Sequence, residues 1–591
     1  MLKTLSALII SDTIVDPIVR FLKEETASLS VDAITAPYNQ VNQILMDHSH
    51  PVWSNTPDVA VIWTIPERIS PSFDSLLQFE PADRKQIMND VDQFAAMVIE
   101  ASKRSKFTFV VSWSLPPHYR WVQTLAWKHN IGITNVVMQM NLRLAEHFVN
   151  YPHIVMLDSQ YWYTALQKQS YDAKMYALGK IQYSRDFFVV AAKEIKAILP
   201  GVIGQAKKLI VCDLDNTLWG GVIGDDGMEG IKLGGIDPIG ESFVAFQKGL
   251  KALKNRGILL AICSKNEEPI AFEMIETHPE MVLKKEDFVA WRINWKDKAE
   301  NIIGIANELN LGLQSIVFLD DNPTERERIR QALPEVYTPE LPKDFVQYPV
   351  FIQTLDCFET IDITYEDLER TTMYHQETAR KFNLSTASSI VEWLQSLELQ
   401  VTVLQLNRNN LARAVQLLNK TNQFNLATRR VSQEEFWLWS QNPNNHVYLF
   451  HVQDRFGEQG ITGLVSAIVY EMTEIDEIDE IDTKAVCVKE AEMIDFVMSC
   501  RVMGKGVEDA MLQFVYRHLS DAGVQRVKAI YRETKKNKPF FDFIQNKYKN
   551  QRSGKMENTT DFILDMNLAG FPSHITCIDN TNKEQIDELF S

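Results

Sequence analysis

Residues 207–227 read KKLIVCDLDNTLWGGVIGDDG. Leu209, Ile210, Val211 and Cys212 form a short apolar run, the pattern of a central parallel strand buried on both faces. Asp213 and Asp215 follow where such a strand ends, and open α/β sheets place their ligands beyond the carboxyl ends of strands. Thr217 and a Trp-Gly-Gly turn come next. Two aspartates at i and i+2 past a strand end can face one pocket. There one attacks an electrophile and the other handles a proton, provided a cation offsets their repulsion. An oxygen-only pair suits Mg2+.

Working outward, three later stretches add to this one. Residues 258–266, ILLAICSKN, are a second apolar run ending in Ser264. Lys298 lies in INWKDKAEN, and residues 316–322, IVFLDDN, are a third run ending in Asp320 and Asp321. In order and strand-end position this set resembles the haloacid-dehalogenase (HAD) superfamily of phosphoryl-transfer enzymes. The resemblance implies that Asp213 and Asp215 are the catalytic pair. It makes Ser264 and Lys298 the phosphate-holding groups, and Asp320 and Asp321 the last acidic metal-binding motif. Thr217 completes the D-x-D-x-T pattern and joins the phosphate-binding set. The spacings from Asp213 to Ser264 and from Ser264 to Lys298 are mostly filled by the core's own helices. No large cap domain is therefore expected, and the pocket should admit a bulky, protein-borne substrate.

A chain of 591 residues is long enough for several domains. Its net charge of −18 argues against non-specific binding to nucleic acid or anionic membranes. No apolar run reaches the length of a membrane span. The N-terminus, MLKTLSALIISDTIVDP, reads as a first strand and not a signal peptide, because Asp12 follows at once with no A-x-A-like site. Six cysteines without a C-x-x-C pair indicate a reducing compartment and no zinc site. A cytoplasmic location is expected.

The fold class expected is α/β with an α+β domain at the end. Residues 1–200 alternate strands (LSALIIS, VDAITAP, DVAVIWTI, FTFVVSWS) with helix, as in a flavodoxin-like or SGNH-hydrolase-like parallel sheet. The place of an SGNH nucleophile holds Ser11-Asp12-Thr13, not Gly-Asp-Ser, so this domain is expected to scaffold and not catalyse. Residues 201–345 form the HAD-like core. Residues 346–397 read as linker and helix, 398–549 as strands with interposed helices, and 550–591 as a tail or appended element. The acidic repeat EIDEIDEID at 474–482 reads as a solvent-facing hairpin tip. His278 reads as a packing residue, and 422–430, NQFNLATRR, as a polar loop near the sites.

After the run AEMIDFVMSC comes Arg501-Val-Met-Gly504-Lys-Gly506, followed by a helical pattern. This turn resembles the pyrophosphate-binding loop of GNAT acyltransferases, in which glycines let backbone approach phosphate at a helix N-terminus. Cys500, Arg501, Gly504 and Gly506 are thus candidates for holding a pantetheine arm.

The strings DLDNTLWGGVIGDDG, AICSKN, HPEMVL, FVAWRINWKDKAENI, FLDDNPTERE, LLNKTNQFNLATRR and MSCRVMGKGVE together resemble the FkbH-like family. This is the HAD subfamily associated with glyceryl loading in polyketide biosynthesis. The segment RETKKNKPFFDFIQNKY departs from the family at Glu533 and at Lys547-Tyr548. The resemblance implies that the protein takes the glyceryl group of 1,3-bisphosphoglycerate and removes phosphate. It would then pass a glyceryl thioester to the phosphopantetheine arm of an acyl carrier protein. Asp213 would accept the phosphoryl group, and Asp215 would protonate the leaving alkoxide and then activate water. Mg2+ would sit between Asp213, the backbone carbonyl of Asp215, and Asp320, with Asp321 in support. Arg292 could pair the substrate phosphate. A thioester product suggests a cysteine relay: Cys263, beside Ser264, is the first candidate and Cys500 the second, and direct attack by the carrier's thiol needs neither. The alternative is a plain Mg2+-dependent HAD phosphatase acting on a small phosphorylated metabolite.

Overall fold

The computed structural model describes residues 3–24, 29–118, 124–129, 131–361, 363, 365–386, 389–421, 423–478, 482–534, 536–547, 552–556, 559–564 and 571–581. They divide into two units, residues 1–363 and 364–591.

The first unit carries two parallel sheets. The N-terminal one has five strands: β1 (Lys3–Ser11), β2 (Leu29–Thr35), β3 (Val59–Trp63), β4 (Phe107–Val111) and β5 (Ile154–Leu157), in the order β2-β1-β3-β4-β5. This is the flavodoxin-like order. Its residues alternate between two cores. Leu8, Ile10, Ala60 and Ile62 face the helix Arg84–Ser102. Ile9, Val59, Val61 and Trp63 face the helix Arg185–Val202. At the end of β1, the Ser11 hydroxyl accepts the Thr13 amide and lies 3.1 Å from the Thr13 hydroxyl.

Asp12 is buried there, and burial pushes its carboxyl up to about 7, against the pull of the Ile65 amide that it accepts. Its ordinary value is 3.8. Between these values the folded chain binds the proton more tightly than the unfolded one. Stability present below the lower value is lost as pH rises to the upper. Asp12→Asn is therefore expected to raise the unfolding free energy measured by urea titration at about pH 8, by up to ~4 kcal/mol, and to leave it near wild type at about pH 3.

The second sheet of this unit has four strands: β6 (Leu209–Cys212), β7 (Leu259–Ser264), β8 (Phe288–Ile293) and β9 (Ile316–Leu319), ordered β8-β7-β6-β9. β6 pairs in parallel with β7 and β9, bringing Cys212 level with Ile262 and Leu319. Every residue of β6, β7 and β9 is buried, so their carboxyl ends meet at one edge. Between β6 and β7 lie only the short helix Ile223–Gly230, kinked at Gly227, and the helix Pro238–Asn255; no cap domain interrupts them. The segment read as a linker is partly core. Tyr348 and Ile352 of the helix Tyr348–Gln353 are buried against Phe243 and Phe246 of the helix Pro238–Asn255.

Among the described residues, the second unit is built on a mixed sheet of nine strands. They are β10 (Leu399–Gln405), β11 (Phe424–Asn425), β12 (Asn445–Asp454), β13 (Gly457–Ile478), β14 (Asp482–Met498), β15 (Val524–Arg532), β16 (Arg552–Met556), β17 (Thr559–Leu564) and β18 (Ile575–Asp579). The arrangement is the GNAT-like α+β one: antiparallel β10, β12, β13 and β14, then the helix Val507–Asp521, then β15 parallel to β14. The helix Arg370–Thr386, placed in the linker by sequence, belongs to this unit. Arg380 forms a two-pronged ion pair with Asp454, both buried, at 2.6 and 2.9 Å. The region read as a tail holds β16, β17 and β18; β17 pairs with β15, and β18 runs parallel to β10. The acidic repeat continues β13, paired with β14 out to Ile478 and Asp482; residues 479–481 lie outside the described residues. No helix among the described residues is long and apolar enough to cross a membrane.

Candidate active site

At the carboxyl edge of the four-stranded sheet, Asp213 follows β6 and its amide donates to the Leu319 carbonyl at 2.9 Å. Asp320 and Asp321 follow β9. One carboxylate oxygen from each of Asp213, Asp320 and Asp321 lies within 4.8 Å of the others. Lys298, the first residue of the helix Lys298–Glu308, sends its ammonium into this cluster. It donates to Asp320 Oδ2 at 2.6 Å and lies 3.1 Å from Asp213 Oδ2. Burial opposes its charge, but the two carboxylates hold the ammonium well above its usual range. Burial and the Asp213 charge push Asp320 up to about 7 and Asp321 up to about 6. Three acids with one lysine leave excess negative charge, and Asp213 Oδ1 is buried without a hydrogen-bond partner. An oxygen-only donor set with an orphaned carboxylate oxygen fits Mg2+.

Asp215 is held apart from that cluster. Its Oδ1 accepts from Trp219 Nε1 at 2.9 Å and the Ile223 amide at 3.1 Å, and its Oδ2 from Asn266 Nδ2 at 3.0 Å. Burial raises its pKa even so. The loop that sets this geometry has local causes. Asn216 adopts a left-handed φ of 54°, and its side chain accepts the Gly221 amide, which turns the chain back. Trp219 is fully buried, and Gln247 bonds the Leu218 carbonyl from the helix behind. Thr217 Oγ1 accepts the Asp321 amide at 3.1 Å, tying the first motif to the last. Ser264 ends β7 at 2% exposure. Asp213, Asp215, Thr217, Ser264, Lys298, Asp320 and Asp321 thus come together at one sheet edge. Asn266 and Trp219 join them without having been singled out by sequence.

Two residues expected here do other work. Arg292 on β8 donates to Glu308 at 2.7 Å and to the Trp291 carbonyl at 2.8 Å, so its guanidinium anchors the far end of the helix Lys298–Glu308. Cys263 is fully buried, its thiol directed at the Lys298 carbonyl at 3.8 Å, and burial pushes it up to about 12. As a neutral, inaccessible thiol it packs the core and is no nucleophile. His278 follows the helix Glu268–Thr277, and its Nδ1 accepts the Glu280 amide at 3.3 Å, a local turn contact.

In the second unit, Arg501, Gly504 and Gly506 form the turn between β14 and the helix Val507–Asp521. Gly504 and Gly506 have φ of 77° and 83°, the left-handed values that favour glycine. Arg501 Nη1 lies 2.9 Å from Met373 Sδ. The side chain of Cys500 lies outside the described residues.

No protein-family model and no curated protein match the chain. Among solved structures, the N-terminal part of the protein BF1531 from Bacteroides fragilis, containing a phosphatase domain complexed with Mg, is 31% identical with a TM-score of 0.55. The match covers 61% of this chain and 96% of that one. An N-acetyltransferase from Staphylococcus aureus is 10% identical with a TM-score of 0.20, over 28% of this chain and 99% of that one. The chain belongs to the phosphatase-domain family of BF1531.

Proposed function

We propose that the protein is a phosphatase and glyceryltransferase of the FkbH-like kind. It would take the glyceryl group of 1,3-bisphosphoglycerate, release phosphate, and load a glyceryl thioester on the phosphopantetheine arm of an acyl carrier protein. The observation that carries the reading is the group of buried Asp213, Lys298 and Asp320 with half-buried Asp321, beside a separately held Asp215. The long motif strings that continue into the second unit support the transfer half.

Asp213 attacks phosphorus of the 3-phosphate; the bond from phosphorus to the glyceryl oxygen breaks, and Asp215 gives its proton to that oxygen. Water then attacks the aspartyl-phosphate, Asp215 takes its proton, and inorganic phosphate leaves with Asp213 restored. Lys298 and Ser264 hold the phosphoryl oxygens and offset their charge. Mg2+, held by Asp213, Asp320 and Asp321, would supply further charge neutralisation. Because Asp215 must both give and take a proton, its raised pKa and its fixed position matter together. Asn266→Ala removes one of its three donors and is expected to lower the rate of phosphate release by about ten-fold or more, with a shifted pH–rate profile.

At the other end of the substrate, the carrier's thiol gives up its proton and attacks the C1 carbonyl; the bond from C1 to the phosphate oxygen breaks, and the 1-phosphate leaves with that proton. With Cys263 sealed in the core, direct attack is the simpler route. Intact-protein mass spectrometry tests the whole reading. The chain, Mg2+, 1,3-bisphosphoglycerate generated in situ and a phosphopantetheinylated carrier protein should yield a carrier adduct of about 88 Da. Phosphate release with no adduct on enzyme or carrier would leave the plain phosphatase.

A further inference from the structure

Two parallel strands that diverge leave unpaired amides and carbonyls along their facing edges, a template for any extended, amide-bearing ligand. β14 and β15 diverge in this way. They pair from Lys489 with Val524 to Met493 with Ala529, and β14 then runs on to Met498. The gap is filled from the chain itself. β11 pairs antiparallel there, Phe424 with Met498 and Asn425 with Val497. The Leu426 amide donates to the Phe496 carbonyl at 3.0 Å, and the Arg532 amide of β15 donates to the Leu426 carbonyl at 3.1 Å. Residues 424–426 therefore bridge the two strands as a short strand of their own.

The filler is fixed on every side. Asn537 Nδ2 donates to the Asn425 carbonyl at 3.0 Å and to the Arg532 carbonyl at 2.8 Å, while its Oδ1 accepts Tyr531. Arg429 pairs with the buried Asp495 at 2.7 Å. Phe424 packs on Phe496, Phe540 and Phe543. The neighbouring turn has contacts of its own. The Gly504 amide donates to Glu508 Oε1 at 3.2 Å, and a side chain on Gly506 would come within 3.1 Å of His574. His574 Nε2 in turn donates to the Lys505 carbonyl at 2.9 Å.

We infer that residues 424–426 are a built-in strand that closes the β14–β15 opening, so that the second unit excludes free coenzyme A thioesters. The inference rests on the acyl-transfer reading of this unit. A pantetheine arm held at Arg501, Gly504 and Gly506 would then not continue between these strands.

Hydrogen exchange on the full chain tests it, with and without acetyl-coenzyme A at about 1 mM, a concentration that saturates a micromolar site. Amides in residues 424–426 and 494–498 should exchange slowly, at rates acetyl-coenzyme A does not change. In Asn537→Ala, which loosens the filler, exchange at 424–426 should rise at least ten-fold. Acceleration of the 424–426 amides by acetyl-coenzyme A in the wild type, or fast exchange without it, would overturn the inference. The carrier-loading assay reads a different product, so failure of the glyceryl-transfer reading would be visible separately.

Discussion

Asp213→Asn is expected to lose phosphate release by about a thousand-fold or more, because the amide cannot form the covalent phosphoryl intermediate. The carboxylate stands at the end of a fully buried strand, with one oxygen beside the Lys298 ammonium and the other without any partner. Replacing it by an isosteric amide keeps the packing and removes the nucleophile. Single-turnover phosphate release checks this, and a thermal midpoint near wild type would separate lost chemistry from lost fold. Release at the wild-type rate would sink the covalent mechanism.

Lys298→Met is expected to cost both activity and stability. The ammonium is 3% exposed and sits between two carboxylates, of which Asp320 is fully buried. Removing one partner of a buried charge cluster strands the others, typically at a cost of about 3–5 kcal/mol. Urea denaturation in a chelating buffer should show this loss. Added Mg2+ should restore part of it, because a divalent cation offsets the same carboxylates. Phosphate release should remain poor even with Mg2+, since the group that steadies the phosphoryl oxygens is gone.

Much of the phosphatase site could be read from sequence because its residues obey a local rule. The aspartates and Ser264 end or follow apolar runs, and parallel strands bring their carboxyl ends together; Lys298 instead opens a helix. What stayed hidden depends on side chains reaching between segments. Asn266 lies two residues past Ser264, and only the fold directs its amide to Asp215. Arg292 looks available in sequence, but the Glu308 carboxylate that occupies it lies a whole helix away. Cys263 stands next to Ser264 in sequence, but strand alternation turns neighbouring side chains to opposite faces, and its thiol lies buried against the Lys298 carbonyl. The strands β16 to β18 were missed because their pairing is with distant segments, and no apolar periodicity marks KMENTTDFIL or HITCID as sheet. The filler at 424–426 is the plainest case. A polar loop in sequence becomes a strand only where β14 and β15 leave a place for it.

The pairing of β18 with β10 has a consequence for how the second unit is made. β10 is the first strand of the sheet and β18, at Ile575–Asp579, the last among the described residues, so its first and last strands meet as neighbours. During synthesis the outer edge of β10 waits, with its amides unsatisfied, while almost the whole unit is translated. Contacts of such long sequence separation form late, and an unsatisfied edge is a template for another copy. A chain shortened before Ile575 would keep its phosphatase residues yet present that edge permanently. Its fate would be decided by self-association in the cell more than by any loss of catalytic groups.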